Sequence, residues 1–173
     1  FSPLESNFFY IPTREVFYVS EHGFDSHFVV MKPGTTVYER VQNVDNAVRR
    51  LEEEMKAEGI WDDIVVVSAS DFGRKIVPNG GGTDHAWGGN YFVAGGSIKG
   101  GQILGEYPSR LDETSDLNIF NSGGRFIPST SWEAVWSPIA DWFGVDPEWM
   151  DEVLPNRANF PVGHMFHKTD LFE

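Results

Sequence analysis

The sequence contains no cysteine, few cationic residues and no long apolar run. Without cysteine the chain can form no disulfide framework, no thiolate zinc knuckle and no thiol nucleophile, and it suits oxidising and reducing compartments alike. No run of apolar residues approaches the ~18 that cross a bilayer, so we expect no membrane span. The chain begins at Phe1 and shows no signal peptide, which is compatible with a processed form or with part of a longer protein.

The shortage of cations gives the chain a formal net charge of −13, from 13 Lys and Arg against 26 Asp and Glu. Nucleic acids and anionic membrane surfaces call for basic patches, so this balance argues against both as partners. It is compatible with cation binding, although a solvated acidic surface is the commoner explanation. With 173 residues, 40% of them hydrophobic, the chain can form one globular domain with a real core.

The first part of the sequence has the pattern of a β-α-β unit. Residues 15–20 (E-V-F-Y-V-S) and 64–68 (I-V-V-V-S) are rich in β-branched residues, which predicts two strands. Between them, apolar residues recur at three- and four-residue steps from Val37 to Met55, which predicts one long helix ending near Gly59. A right-handed crossover would make the strands parallel and bring their carboxyl ends to one edge of a sheet.

Candidate metal ligands follow both predicted strands. Asp25 and His27 come after the first strand, and Asp71 comes directly after the second. A glycine-rich loop, containing Gly80, Gly81 and Gly82, can pass close to a ligand and is followed by Asp84 and His85. Carboxylates and imidazoles suit divalent metals, so the sequence predicts part of a metal site where the strand ends meet. The alternatives are structural: Asp71 could cap its turn, and His85 could be a satisfied loop histidine.

The second part of the sequence predicts three further elements. A short strand is expected at residues 91–94. An apolar stripe over residues 132–143 predicts a helix that kinks or breaks at Pro138. Asp146 and Pro147 have the types expected at the start of a short helix.

Several segments carry recognisable motifs. They are H-G-F-D-S-H (22–27), S-A-S-D-F-G-R (68–74), G-T-D-H-A-W-G (82–88), V-A-G-G-S-I-K-G-G-Q-I-L-G-E-Y-P (93–108) and I-P-S-T-S-W-E-A-V-W-S-P-I-A-D-W-F-G-V (127–145). In this order they resemble the domain of unknown function 1501 family, whose own motifs include G-G-F-D-T-H and a C-terminal helix ending in a W-F-G-V-like sequence. The resemblance covers residues 16–160, most of the chain.

That family belongs to the alkaline phosphatase/sulfatase superfamily, and the resemblance implies a fold and a chemistry. The fold would be α/β, a doubly wound, mainly parallel sheet with helices on both faces, present here in part. The cofactor would be one or two divalent cations (zinc, calcium, magnesium or manganese). In such enzymes a serine, threonine or modified cysteine attacks a phosphate or sulfate ester. Matched residue by residue, the metal ligands would be Asp25, His27, Asp71 and His85.

Two further residues stand beside the matched ligands. Asp84 would orient His85, and Arg74 would either bind an anionic group or pair with a nearby carboxylate. Phe72 stands where superfamily enzymes often have a histidine ligand, although Asp-Phe-Gly-Arg is usual for the resembled family.

The resemblance also divides the chain and implies a partner. It indicates an amino-terminal arm (1–14), an alkaline phosphatase/sulfatase-like domain (15–160) and a tail (161–173). The family's amino-terminal half, which carries the nucleophile, is not among these residues, so the chain resembles the carboxyl-terminal half. Its expected partner is the missing half or another protein.

Two functions from different classes follow. The first is a metal-binding hydrolase domain of the sulfatase/phosphatase type, acting on phosphate or sulfate esters. The second is a non-catalytic structural or interaction subunit of a larger assembly, which the absent nucleophile half favours. A cation-binding module without chemistry lies between them. Bacterial family members are often exported, so the resemblance favours an extracytoplasmic location: secreted, periplasmic or in an organelle lumen.

Overall fold

The computed structural model describes residues 14–28, 34, 36–112, 114–119 and 123–173. Of the predicted amino-terminal arm, residues 1–13 lie outside this part of the chain. The described helices are α1 (Thr36–Ala57), α2 (Trp132–Phe143), α3 (Met150–Val153) and α4 (Lys168–Leu171), and the described strands are β1 (Val65–Val67), β2 (Gly73–Arg74), β3 (His85–Ala86) and β4 (Val93–Gly95).

The first helix forms where the apolar stripe predicted it. α1 has 22 residues, and Gly59 follows its end with a left-handed φ of 73°. On its exposed side Lys56 pairs with Glu52 one turn earlier, at 2.7 Å. The predicted long helix is therefore confirmed. Across the described ranges no helix is long and apolar enough to span a membrane, as the sequence led us to expect.

The strands pair antiparallel, and the predicted doubly wound, mainly parallel sheet with helices on both faces is wrong. β1 pairs with β4, with Val65 opposite Gly95 and Val67 opposite Val93. β2 pairs with β3, and this pair makes a second two-stranded sheet. β4 overlaps the strand that was predicted at residues 91–94.

The predicted parallel partner of β1 does not form a strand. Residues 15–20 have no regular structure, and Val16, Phe17, Tyr18 and Val19 keep 79–91% of their surface exposed. The run of valines in β1 indicates a buried strand, but it leaves the direction of the partner strand open. β1 instead takes its partner from further along the chain, on an antiparallel return, so the described residues contain no β-α-β unit.

The helices of the second part begin close to where the sequence predicted them. Ser131 caps α2 by accepting a hydrogen bond from the backbone N–H of Ala134 at 3.2 Å, and Gly144 ends the helix with a φ of 88°. α2 continues through the buried Pro138 as one helix. Pro147 opens a 3₁₀ turn that leads into α3, which confirms the short helix predicted there.

The hydrophobic core lies where α2, α4 and β1 meet. Ile139 of α2 packs with Leu171 and Phe172, and Val65 and Val67 of β1 pack against this cluster. Leu171 and Phe172 come from the stretch that was predicted to be a tail. The last residues of the chain therefore hold α2 against the β1–β4 sheet.

Candidate metal centre

The β2–β3 ladder positions His85. Arg74 lies opposite His85, and Gly73 lies opposite Ala86. Gly73 is buried, and a Cβ at this position would overlap the carbonyl oxygen of Gly88. Glycine is therefore required for the close approach of the two segments, and this approach fixes the backbone that carries His85.

The glycine-rich loop packs against the backbone of residues 26–28. A Cβ on Gly81 or on Gly82 would overlap backbone atoms of that segment. The backbone N–H of Thr83 also donates to the carbonyl oxygen of Ser26 at 3.2 Å. Backbone lies directly on backbone here, because neither glycine has a side chain to separate the two segments. These contacts join the two parts of the sequence that carry the candidate ligands.

Three potential ligand atoms converge as a result. His27 Nε2 lies 3.1 Å from Asp25 Oδ1, and His85 Nε2 lies 3.0 Å from the same oxygen. The three atoms all fall within 4.8 Å of one another, a spacing that one metal ion can bridge. The structure thus brings together three of the four residues that were predicted as ligands.

The fourth predicted ligand, Asp71, is not a member of this group. It is exposed and lies between β1 and β2. The strand-end argument that placed it beside Asp25 depended on parallel strands, which the described residues do not form. A ligand role for Asp71 stays a prediction.

The carboxylate of Asp84 supports His27 from behind. Asp84 Oδ1 lies 3.5 Å from Nδ1 of His27, the nitrogen that faces away from the ligand cluster. Asp84 is held in turn by Asn79, which donates to it at 3.0 Å, and by Lys75 at 3.4 Å. The Asn79 hydrogen bond is the main cause of the lowered pKa of Asp84. A carboxylate behind a metal-binding imidazole fixes the tautomer and the ring orientation. From the sequence, Asp84 was expected to orient His85 and not His27.

Arg74 holds the carboxylate of Asp25. Its guanidinium donates to Asp25 Oδ1 at 2.7 Å and to the carbonyl oxygens of Thr83 at 2.7 Å and Phe24 at 3.0 Å. Of the two roles expected for Arg74, the structure shows the pairing with a nearby carboxylate. The pKa of Asp25 is lowered, first by the hydrogen bond with His85 and also by that from Arg74. Asp25 is thus kept in the ionised form that a cation requires.

The ring of Phe72 lies on the ring of His85. The two planes are 12° from parallel, and their centroids are 3.7 Å apart. The guanidinium carbon of Arg74 lies 5.1 Å from the centroid of the same Phe72 ring. Sequence reasoning treated Phe72 as a missing ligand. It could not show this stack, which depends on the β2–β3 register.

The residues of the cluster suit a divalent transition metal. Two imidazole nitrogens and one carboxylate oxygen match the donor types found around zinc and related first-row ions. The side chains of His27, His85 and Asp25 keep 36%, 47% and 50% of their surface exposed, so an ion has direct access from solvent. Three protein ligands also leave room for a further small ligand on the same ion.

The comparisons with known proteins agree with the motifs. Residues 13–117 match the family described as Protein of unknown function (DUF1501). The match spans more than half of the 173 residues, and the chain belongs to this family. The family named from the motifs is therefore confirmed, whereas membership of the alkaline phosphatase/sulfatase superfamily stays a prediction. No curated protein and no solved structure matches the chain.

The contact between the glycine loop and residues 26–28 can be tested without any metal. We expect Gly82→Ala to push the two segments apart, because the new Cβ would overlap the backbone of His27. The rings of His27 and His85, whose centroids are 4.9 Å apart, should then lose their mutual nuclear Overhauser cross-peaks. Gly100→Ala is the matched control, because a Cβ there meets no atom within 4 Å. Cross-peaks of unchanged strength in Gly82→Ala would contradict this account.

Proposed function

We propose that this DUF1501 protein binds one divalent transition-metal ion through Asp25, His27 and His85. The observation that carries the proposal is the convergence of three ligand atoms within 4.8 Å, from segments 60 residues apart in the sequence. Two of the ligands have a polar neighbour that orients them, Asp84 for His27 and Arg74 for Asp25. Such supported ligands are typical of metal sites.

The donor set favours zinc or a similar ion among the cations expected from the sequence. Calcium and magnesium take oxygen ligands, and two of the three donors here are imidazole nitrogens. Structural zinc sites usually have four protein ligands, whereas catalytic sites commonly have three and keep one position open. The three-residue cluster has the composition of the second kind.

For activity we propose hydrolysis of a phosphate or sulfate ester, in line with the superfamily that the motifs indicate. A bound divalent ion would stabilise developing negative charge on the ester and lower the pKa of a nucleophile or water. The protein's own residues have a supporting part: Arg74 keeps Asp25 in place, and Asp84 keeps the tautomer of His27. Arg74, Lys75 and Arg125 lie around the cluster, in contact with Asp25, Asp84 and the backbone of His85 respectively, and their charges offset those of the two carboxylates, which reduces the repulsion of an anionic ester.

Metal binding is tested by isothermal titration calorimetry with Zn²⁺ and Co²⁺ on the metal-free protein. We expect about one ion per chain, and a loss of affinity of more than about 100-fold in Asp25→Asn, His27→Ala and His85→Ala, since even outer partners of ligands are worth about 10–100-fold. His164→Ala is the control, because His164 lies in a separate 3₁₀ turn. Absence of binding by the wild type, or wild-type affinity in His85→Ala, would refute the site.

The same titration decides whether Asp71 is a metal ligand. Unchanged affinity in Asp71→Asn would leave the three-residue site complete without it. A loss as large as that of Asp25→Asn would make Asp71 a fourth ligand and would require a rearrangement of the exposed turn that carries it.

Hydrolysis is tested with p-nitrophenyl phosphate and p-nitrophenyl sulfate on the metal-loaded protein. We expect slow release of p-nitrophenol with water as the nucleophile, since the half that carries the family's nucleophile is not among these residues, and this release should stop on chelation and be absent from His85→Ala. Turnover that persists in His85→Ala would point to a contaminant. Stoichiometric metal binding without turnover of either ester would reduce the function to that of a cation-binding module.

A second candidate function, an interaction subunit, is favoured by one observation. Val16, Phe17, Tyr18 and Val19 are 79–91% exposed in succession, although they have the composition of a buried strand. Within the described residues, no backbone hydrogen bond joins residues 15–20 to another segment. An unpaired apolar segment of this kind is typical of a strand that pairs with another chain.

The interaction role predicts a specific effect of making this segment polar. We expect the wild type to associate or aggregate with rising concentration, and Phe17→Ser/Tyr18→Ser to remain monomeric, as measured by sedimentation velocity. Val162→Ser, at a single residue that is 80% exposed, is the control and should behave as the wild type. A wild type that stays monomeric across the concentration range, identical to the double variant, would remove the support for this function.

A further inference from the structure

The two histidines of the cluster differ in what lies behind their ligand nitrogens. His27 has the Asp84 carboxylate 3.5 Å from its Nδ1. For His85, the polar contacts within the described part of the chain are made by Nε2 and by the backbone carbonyl oxygen, which accepts from Arg125. The usual device for orienting a metal-binding imidazole, a hydrogen bond at its second nitrogen, is therefore present at His27 and missing at His85 among these residues.

An unsupported imidazole is a poor ligand because its ring can rotate. The second side-chain torsion of histidine has a broad, roughly two-fold energy profile, so no single ring plane is fixed by the covalent structure. His85 is also half exposed, with 47% of its side chain accessible, so packing against the core does not hold it. The contact of Nε2 with Asp25 holds the ring at one atom only, so a further contact is needed to select the ring plane.

The Phe72 ring makes that contact. Its plane lies only 12° from that of His85 at a centroid distance of 3.7 Å, so the imidazole cannot turn out of its plane without striking the phenyl ring. Residues 72 and 85 can face each other because Arg74 pairs with His85 across the β2–β3 ladder. The backbone register thus brings the two residues together, and the stacked phenyl ring limits the rotation of the imidazole.

Phe72 also reaches the carboxylate ligand through Arg74. The guanidinium that lies 5.1 Å from the Phe72 centroid donates to Asp25 Oδ1 at 2.7 Å. A cation near an aromatic ring is attracted to it, so the ring favours the position in which Arg74 holds Asp25. One side chain without any ligand atom therefore contacts one ligand, His85, and the support of a second ligand, Asp25.

From these contacts we infer that Phe72 is a positioning residue of the metal centre, which holds the imidazole plane of His85 as Asp84 holds that of His27. The inference rests on the proposed metal site. The aromatic face of Phe72 then orients His85 as the Asp84 carboxylate orients His27. Metal affinity should therefore depend on the flat face of residue 72 and not on its volume alone.

The experiment compares Phe72→Leu, which removes the flat face, with Phe72→Tyr and Phe72→Trp, which keep it. In the metal-free protein we expect upfield ring-current shifts of the His85 ring protons in the wild type, Phe72→Tyr and Phe72→Trp, and their loss in Phe72→Leu. In the loaded protein we expect Phe72→Leu to bind Co²⁺ about 10–100-fold more weakly, with an altered visible absorption spectrum, and the aromatic variants to stay within about threefold of the wild type. Far-UV circular dichroism checks that Phe72→Leu is folded.

Each result separates the inference from the proposed function. Wild-type Co²⁺ affinity and spectrum in Phe72→Leu would overturn the positioning role while leaving the metal site intact. Equal weakening in Phe72→Leu and Phe72→Tyr would also overturn it, because a retained aromatic face would then be without effect. If the wild type binds no ion, the proposed function fails, and the ring-current shifts alone decide whether Phe72 orients His85. Should Phe72→Leu be unfolded, Phe72→Met, which also lacks a flat face, takes its place with the same expected losses.

Discussion

The candidate site depends on one close contact between two stretches of backbone. Gly81 and Gly82 lie directly on residues 26–28, where any side chain would overlap main-chain atoms. That contact determines whether His27 and His85 can reach a common point, because each is otherwise carried by a separate part of the chain. Gly73 makes a second contact of this kind, in which its backbone lies directly against that of Gly88. The site therefore depends on these glycines as much as on the ligands themselves.

Around this contact, Asp25 Oδ1 is the point on which the charges converge. This oxygen accepts a hydrogen bond from the Arg74 guanidinium at 2.7 Å, and Nε2 of His85 and Nε2 of His27 lie within 3.1 Å of it. A single carboxylate oxygen with three nitrogen neighbours is an arrangement that stabilises the ionised acid. A cation shared by the same three side chains would also meet the Arg74 guanidinium, which lies on the same oxygen, whereas Asp84 supports His27 from the side away from it.

The sequence predicted the members of the cluster better than the fold that assembles them. Local signals were sufficient for α1, for the position of α2 and for the turn into α3, because periodicity and helix-start signals act within a few residues. The direction of strand pairing is set by contacts far apart in the chain, and residues 64–68 carry no local signal that separates a parallel from an antiparallel partner. Asp25, His27 and His85 meet even so, through the contact between the glycine loop and residues 26–28. The sequence had indicated only that this loop could pass close to a ligand. The role of Phe72 could not be predicted, because ring stacking depends on a register that only the folded backbone defines.

The distance in sequence between the ligands has a consequence for a chain that contains no cysteine. Asp25 and His85 are 60 residues apart, and an ion shared between them would close that stretch into a loop, as a disulfide does. In the chain-entropy account, a permanent cross-link over a loop of this size removes about 4 kcal/mol of unfolded-state freedom. A metal link would be reversible, and its contribution would depend on the concentration of the free ion. The centre would then act as a cross-link whose strength the surroundings set.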